Sequence, residues 1–324
     1  MKSFIAVPVS LVALAMAMPA VAQTIDIDQN GTTNSATITQ IGTDLNSIDV
    51  DQLGTNSAVD VFQVGAQQST TITQGETGDF NTVFAVQGDI GGAGSNSIMS
   101  TQQGSDNFAA LGQNSSGNLI TATQGGDSNF LFLDQGLADG AGEGADGNIV
   151  EVDQVGSGNT GDIRQNLTSS GGGNFASALQ ISDNNFVDIA QEDSGNQAFV
   201  IQGDIGGEGG NSVLASQSGT GNFFAVAQNG FGNSADVAQS GSGNELFLDQ
   251  GFVDGVGLGG GENEAITTQT GDNNSITLNQ NLLSEGGNNS ATVNQFGNGY
   301  SITIDQEGSG HTMTITQGIG LLPE

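Results

Sequence analysis

The chain has 324 residues, and its 35 acidic residues are opposed by only two strong cations, Lys2 and Arg164, which gives a formal net charge of -33. This charge excludes a nucleic-acid partner, because phosphate contacts need lysine and arginine, and it disfavours attraction to an anionic membrane. The chain has no cysteine, so no disulfide stabilises it.

The first 22 residues have the features of a secretory signal peptide. Lys2 supplies the positive charge, residues 5–18 are mostly apolar, and residues 20–22 are small, as at a cleavage site. The alternative is an N-terminal membrane anchor, but the apolar stretch is shorter than the ~20 residues that a span needs. We therefore predict cleavage before Gln23, which removes Lys2 and changes the formal charge from -33 to -34, and we expect no membrane span in the mature chain.

Residues 23–317 repeat one short unit 24 times: Asn, any residue, apolar, any, apolar, any, Gln. The closing Gln is present in every unit, and 15 of the 23 Gln-to-Gln intervals are 11 residues long. The opening Asn is present in 20 units and is replaced elsewhere by Gln23, Gln68, Tyr300 and His311. Alternation with period two predicts a β-strand with one buried face. A unit this short buries that face only by stacking on other units.

The links between units predict how the strands are connected. They are rich in glycine and about four residues long, which suits tight reversals. Two 11-residue units then give a coil of 22 residues, and 24 units give about 12 coils. We predict an all-β, two-sheet β-solenoid of the cross-β type, ~55 Å long at ~4.8 Å per coil. The unit at 56–63 has one extra residue, which we interpret as a β-bulge.

Proline and the chain ends complete the domain organisation. No proline lies between residues 23 and 317, which favours ordered strands over a flexible glycine-rich tail, because a strand that is bonded on both sides does not accept proline. The predicted domains are a signal peptide at 1–22, the solenoid at 23–317 and a C-terminal tail at 318–324.

The amide at each end of a strand is expected to point inward. A buried amide is costly unless it is hydrogen-bonded, and a ladder of equivalent amides from coil to coil satisfies it, as in other cross-β structures. Asn is also common in turns, but that alternative does not explain an invariant Gln. The residues predicted to form the ladders include Asn34, Gln40, Asn46, Gln52, Asn107, Gln113, Asn118, Gln124, Asn222, Gln228, Asn233, Gln239, Asn274 and Gln280.

The spacing Asn-x5-Gln-x4-Asn-x5-Gln closely resembles that of the bacterial curlin repeat over residues 23–317. This resemblance implies a secreted structural subunit that polymerises into a curli-type amyloid fibre on the cell surface, for adhesion and biofilm matrix. It also implies a nucleating subunit and an outer-membrane export pore as partners. Curlin subunits usually have fewer coils, and they carry a glycine-rich segment before the repeats, whereas here a repeat unit begins at Gln23.

No group of residues indicates catalysis or a cofactor. The carboxylates are spread along outward positions, and His311 occupies an Asn position, so no acid–base pair stands out. The glycine-rich acidic loops at 140–146 and 203–210 lack the regular spacing of calcium repeats. The only metal candidates, and weak ones, are Asp26, Asp28, Asp49 and Asp51. The same four residues are expected to form a two-by-two acidic cluster that opposes assembly.

The same pattern bears on two other functions. An ice-binding solenoid needs a flat array of Thr-x-Thr, and the Thr pairs here are scattered over both sheets. A monomeric β-solenoid surface adhesin needs capping elements on its end strands, and neither end of the repeat region shows one. This second reading remains the alternative to the fibre subunit.

Longer stretches recur 115 residues apart, as residues 131–136 do at 246–251. The offset spans nine strands, so the longer loops of the two copies are expected on opposite edges. Six outward phenylalanines share this offset, three on strands 6, 8 and 10 and three on strands 15, 17 and 19 of the other sheet. They predict two apolar stripes for fibre bundling or surface adhesion: Phe84, Phe108 and Phe132, and Phe199, Phe223 and Phe247.

Overall fold

The computed structural model describes residues 23–42, 45–75, 79–88, 95–136, 147–168, 171–203, 209–251, 261–281 and 287–318. These residues form 24 β-strands and no helix. The signal peptide predicted at 1–22, residues 319–324 of the predicted tail and most of both candidate calcium loops lie outside the described residues.

Consecutive strands alternate between two parallel 12-stranded sheets, so one coil is an odd-numbered strand followed by an even-numbered one. The odd sheet contains β1 Thr24–Gln29, β3 Ser47–Gln52, β5 Ser69–Gln74, β7 Ser97–Gln103, β9 Leu119–Gly125, β11 Ile149–Val155, β13 Phe175–Ile181, β15 Gln197–Gln202, β17 Phe223–Gln228, β19 Glu245–Gln250, β21 Ser275–Gln280 and β23 Ser301–Gln306. The even sheet contains β2 Ser35–Ile41, β4 Ala58–Val64, β6 Thr82–Gln87, β8 Phe108–Gln113, β10 Phe130–Gln135, β12 Thr160–Gln165, β14 Phe186–Gln191, β16 Ser212–Thr220, β18 Ser234–Ser242, β20 Glu264–Thr270, β22 Ser290–Phe296 and β24 Thr312–Gly318. The predicted two-sheet solenoid of about 12 coils is confirmed.

The core lies between the sheets and is built from the third and fifth positions of the units. In β10, for example, Leu131 and Leu133 are fully buried while Phe130 faces solvent. Two of the polar or small residues at core positions have a local reason. The Thr70 hydroxyl donates to Gln87 Oε1 over 2.7 Å, and a side chain at Gly161 would place its Cβ 2.8 Å from Leu131 Cδ1.

Every unit after the first is entered through one residue in the left-handed region. The residue directly before the opening position has φ between 52° and 81° in all 23 turns. This conformation costs little for glycine or asparagine and more for Leu45 or Phe80. Glycine is required for a different reason two residues after many of the Gln residues. At Gly241 (φ 112°) an added Cβ would lie 2.1 Å from the carbonyl oxygen of Gly271 in the next coil.

The β-bulge predicted in the unit at 56–63 was wrong. Strand β4 pairs without interruption with both β2 and β6. The extra residue is absorbed in the turn, where Asn56 has φ 56°, and Ser57 takes the opening position and donates its N–H to Asn34 Oδ1 over 3.1 Å. A left-handed asparagine in a turn costs little, whereas a bulge would leave part of a parallel ladder unpaired.

The longer loops leave the rod at two opposite edges, as the 115-residue offset predicts. They follow the even strands β6, β10 and β12 in the first copy and the odd strands β15, β19 and β21 in the second. All turns from an even to an odd strand share one edge of a two-sheet solenoid, and all turns from an odd to an even strand share the other.

Candidate functional site

The invariant Gln residues form two amide ladders, one along each sheet. The Nε2 of each Gln donates to the Oε1 of the Gln one coil nearer the C-terminus, over 2.6–3.1 Å in all 22 steps. The same nitrogen also reaches the opposite sheet, as when Gln165 donates to the backbone oxygen of Ile149 over 3.1 Å. The ladders therefore join the two sheets and have a single direction along the rod.

The Asn side chains reach toward the same end of the rod, but mainly to backbone atoms. Asn129 Oδ1 accepts the N–H of Asn159 over 2.9 Å, and Asn129 Nδ2 donates to the oxygen of Gly156 over 2.8 Å. From Asn211 to Asn274 the Nδ2 also donates to the Oδ1 of the Asn one coil nearer the N-terminus in the same sheet. The amide-to-amide contact is thus continuous for Gln and partial for Asn.

The structure buries all but one of the ladder residues chosen from the sequence. The exception is Gln40, which is half-buried because it belongs to the first coil. The buried ones are Asn34, Asn46, Gln52, Asn107, Gln113, Asn118, Gln124, Asn222, Gln228, Asn233, Gln239, Asn274 and Gln280.

The N-terminal end of the rod presents acceptors and apolar side chains. The Oε1 atoms of Gln29 and Gln40 are shielded from solvent, and neither accepts a hydrogen bond from any described residue. Ile25 is 40% exposed and Ile27 is half-buried, although both occupy core positions. In the interior of the rod such positions are almost fully buried.

The C-terminal end presents the complementary groups. Gln317 accepts from Gln295 over 2.9 Å, and no described Gln lies beyond it to accept from its own Nε2. The core residues Met313 and Ile315 of β24 are only half-buried. The ends therefore match in polarity, with an amide donor at one and amide acceptors at the other.

The last coil differs from the others at its two opening positions. Tyr300 and His311 replace Asn there, and their backbone N–H groups still donate to Asn274 Oδ1 and Asn289 Oδ1 over 3.0 and 2.9 Å. Neither side chain carries the amide with which Asn reaches the following coil. The Asn contacts therefore stop at this end, while the Gln ladders continue to it.

Four carboxylates meet on the outer face of the first coils, and we call them the N-terminal acidic cluster. Asp26 lies beside Asp49 and Asp28 beside Asp51 in the register of β1 and β3. Burial raises the pKa of Asp51, and the charges of Asp49, Asp28 and Asp26 raise it further. In the described part of the chain, no three His, Cys, Asp or Glu side chains are arranged to hold a metal ion, so the geometry offers an acidic face only.

Phenylalanines stack along the outer face of the even sheet. Phe84 contacts Phe108 with ring centroids 5.8 Å apart, and Phe108 stacks on Phe130 at 5.1 Å with an interplanar angle of 5°. Phe132 lies across a groove of about 160 Å³, lined also by Phe84, Ala110 and Gly112. The 115-residue repeat did not predict Phe130 as part of this surface, because its equivalent 115 residues later is Glu245.

A second stack runs along the outer face of the odd sheet. Phe175, Phe199, Phe223 and Phe247 follow one another with centroid distances of 5.1, 5.7 and 5.3 Å. Phe175 was also missed, since Asp60 is its equivalent in the first copy. The structure thus brings together all three phenylalanines predicted for this sheet and adds a fourth.

Charged groups flank the two stacks differently. Arg164, the only lysine or arginine among the described residues, pairs with Asp162 and lies beside Asp134 in the register of β10 and β12. On the odd sheet, Asn279 takes the place that corresponds to Arg164, beside Asp249. Burial raises the pKa of Asp249 to about 6, and its Oδ1 has no hydrogen-bond partner in the described chain. The outward position of Asp249 in the unit gave no sign of this burial.

The curlin associated repeat family matches the chain at residues 24–54, 219–251 and 285–318. These stretches include both ends of the rod and part of its interior, so the chain carries curlin repeats. No curated protein matches it. The described residues include no helix that is long and apolar enough to cross a membrane.

Proposed function

We propose that this curlin-repeat protein is the structural subunit of an extracellular curli-type amyloid fibre, in which rods polymerise end to end and serve surface adhesion and the biofilm matrix. The curlin repeat and the β-solenoid fold both fit a structural subunit rather than an enzyme. Secretion, a nucleating subunit and an outer-membrane export pore belong to the proposal through the resemblance. The observation that carries it is the complementarity of the two described ends.

Docking one rod on the next continues the solenoid without a change of register. Strand β1 of the second rod would pair with β23 of the first, and β2 would pair with β24. Gln306 and Gln317 would then donate to Gln29 and Gln40, whose Oε1 atoms lack donors among the described residues. Ile25 and Ile27 would cover Ile302 and Ile304 of β23, and Ala36 and Ile38 of β2 would cover the half-buried Met313 and Ile315 of β24. Free strand edges with matching groups are templates for such pairing.

Charge opposes the same contact. In this register Asp28 of the second rod would lie beside Asp305 of the first, in line with Asp51. Two carboxylates ~4.8 Å apart repel by roughly 0.9 kcal/mol in water. The net charge adds diffuse repulsion between molecules. The amide and apolar contacts must outweigh these costs, and we therefore expect assembly to depend on salt.

The experiment blocks one end at a time. The double substitution Gln29→Lys, Gln40→Lys would put an inward charge on the N-terminal edge, and a matched variant would carry Gln317→Lys at the other end. Each variant should remain a folded monomer alone. Each should also cap one end of parent seeds when added in small amounts, because its intact end still docks, and the two variants together should arrest growth at both ends. If both variants elongate like the parent, the proposed junction is wrong.

The alternative, a monomeric surface adhesin, is favoured by one observation. Tyr300 and His311 end the Asn contacts at the last coil, as expected if that end were not built for extension. This alternative predicts that the parent chain stays a monomer at high concentration. It also predicts that the double variant Tyr300→Asn, His311→Asn assembles although the parent does not. The fibre proposal predicts instead that the parent assembles and that the double variant assembles only modestly faster.

A further inference from the structure

The rod carries two apolar patches on opposite faces. The even-face patch consists of Phe84, Phe108, Phe130 and Phe132 on β6, β8 and β10, and the odd-face patch consists of Phe175, Phe199, Phe223 and Phe247 on β13 to β19. Phe84, Phe130 and Phe247 are each more than 40% exposed. Rings stacked in rows on a strongly acidic protein form an interaction surface rather than scattered apolar residues.

The two patches differ in the size of the side chains at equivalent positions. The even-face patch contains the groove of about 160 Å³, whose lining includes Ala110, Gly112 and Asp134. At the equivalent positions 115 residues later the odd face has Ala225 and Ala227, and Val86 becomes Ile201, which is 45% exposed. The odd face therefore has one more side-chain carbon than the even face at two of the positions that line the groove, Ala227 in place of Gly112 and Ile201 in place of Val86.

The charges beside the two patches also differ. Arg164 flanks the even-face patch, and 41% of its side chain is exposed. The odd-face patch carries Glu245, which is exposed on β19, and Asp249 on the same strand. Asp162 and Asp134 beside Arg164 leave the even face acidic as well, but the only cation in the described part of the chain lies beside the even-face patch, where it can pair with a carboxylate on the odd face of a second copy.

We propose that the even-face patch of one rod docks on the odd-face patch of a second copy of the same protein, so that neighbouring fibres associate side by side. This inference rests on the proposed end-to-end fibre. The equivalent strands are nine apart, or four and a half coils, so neighbouring rods would be staggered by ~22 Å. Each end-to-end junction would then lie beside the interior of a neighbouring rod.

The size of the patch explains why this association needs a fibre. Three coils of about five residues cover roughly 250 Å² on each partner, well below the ~1,200 Å² in total that stable interfaces bury. A single pair of rods is therefore expected to dissociate. A fibre repeats the patch once per rod, and simultaneous contacts multiply the effective affinity.

The test uses one variant for each face and a matched control. The even-face variant is Phe84→Ser, Phe108→Ser and Phe130→Ser, and the odd-face variant is Phe199→Ser, Phe223→Ser and Phe247→Ser. The control replaces three exposed phenylalanines outside both patches: Phe80→Ser, Phe186→Ser and Phe296→Ser. Electron microscopy counts fibres per bundle, and diffraction shows that each protein still forms cross-β fibres.

We expect parent and control to form bundles, and each one-face variant to form single fibres with an unchanged meridional reflection. Mixing fibres of the two variants should give pairs, staggered by ~22 Å, because each supplies the face that the other lacks. If a one-face variant does not fold, Gly112→Leu fills the groove without removing a ring and should also disperse the bundles.

Several results would overturn the inference. Bundles of normal thickness in either one-face variant would exclude docking between unlike faces. One-face variants that bundle normally but no longer coat a solid surface would assign the patches to adhesion instead. Fibres of the parent that never bundle would contradict this inference alone, whereas a parent without fibres would contradict the proposed function and the inference with it.

Discussion

Replacing one interior Gln tests whether the ladders stabilise the rod. Gln165 is fully buried, accepts from Gln135 over 2.9 Å, and donates to Gln191 over 2.8 Å and to the Ile149 oxygen over 3.1 Å. Gln165→Leu has a similar volume but makes none of these bonds. Gln135 keeps its bond to the Leu119 oxygen, whereas Gln191 Oε1 loses the donor that the ladder supplies.

The expected cost follows from these contacts. A buried acceptor without a donor costs about 1–3 kcal/mol, and each further lost bond about 1 kcal/mol. The added apolar surface of Leu offsets part of this cost. We therefore expect Gln165→Leu to lower the free energy of unfolding by about 2–4 kcal/mol. The control is Gln103→Leu at the exposed end of β7, which should change it by less than about 0.5 kcal/mol.

The assay is urea denaturation combined with hydrogen exchange. Exchange should accelerate mainly in β10, β12 and β14, because a repeat protein is destabilised locally. Gln165→Glu adds a second test, since an ionised carboxylate places oxygen against Gln191 Oε1. Its stability should rise as the pH falls, because the protonated acid again donates a hydrogen bond. If Gln165→Leu matches the Gln103→Leu control, the ladder contributes no net stability and this account of the core is wrong.

Three further predictions concern charge and turns. The raised pKa of Asp249, about 6 against 3.8, means that the folded protein gains stability as the pH falls from about 7 to about 4. Asp249→Asn should raise the free energy of unfolding at pH 7 by roughly 1–2 kcal/mol after allowance for solvent screening, and this gain should disappear near pH 4. The control Asp236→Asn, at an exposed position, should give no gain at either pH. In the parent, calcium should accelerate assembly more than sodium does at equal ionic strength, and replacing the four Asp of the N-terminal acidic cluster with Asn should remove this difference. If the two ions act equally on the parent, the cluster is only a solvated face. Gly241→Ala should lower the denaturation midpoint far more than Gly221→Ala does. A Cβ at position 241 would lie 2.1 Å from the carbonyl oxygen of Gly271, whereas nothing lies within 4 Å of a Cβ at position 221. Equal midpoints would refute the packing argument.

The sequence predicts the fold where one physical constraint acts on every unit. Period-two alternation and an invariant Gln fix the strands, the two sheets and the inward ladders. The turn geometry was harder to predict from the sequence, because an extra residue at 56–63 is compatible with a bulge or with a longer turn. Only the backbone shows that Asn56 adopts the left-handed conformation and that Ser57 takes the opening position.

The surfaces were predicted only in part, since they depend on neighbours in different coils. Matching residues 115 apart finds six phenylalanines but not Phe130 or Phe175, which lie beside them in space without sharing the duplication. The burial of Asp249 has no local signal either, because its position normally faces solvent. Such features depend on side chains packed between coils, about which the repeat pattern carries no information.

In the proposed fibre, rods stack end to end with an unbroken register. Diffraction from aligned fibres of the chain without residues 1–22 tests it most directly. We predict a meridional reflection at ~4.8 Å, an equatorial reflection near ~10 Å and an axial repeat of ~58 Å, which is 12 coils. A protein that stays monomeric after prolonged incubation at high concentration, or fibres without the ~4.8 Å reflection, would contradict the account.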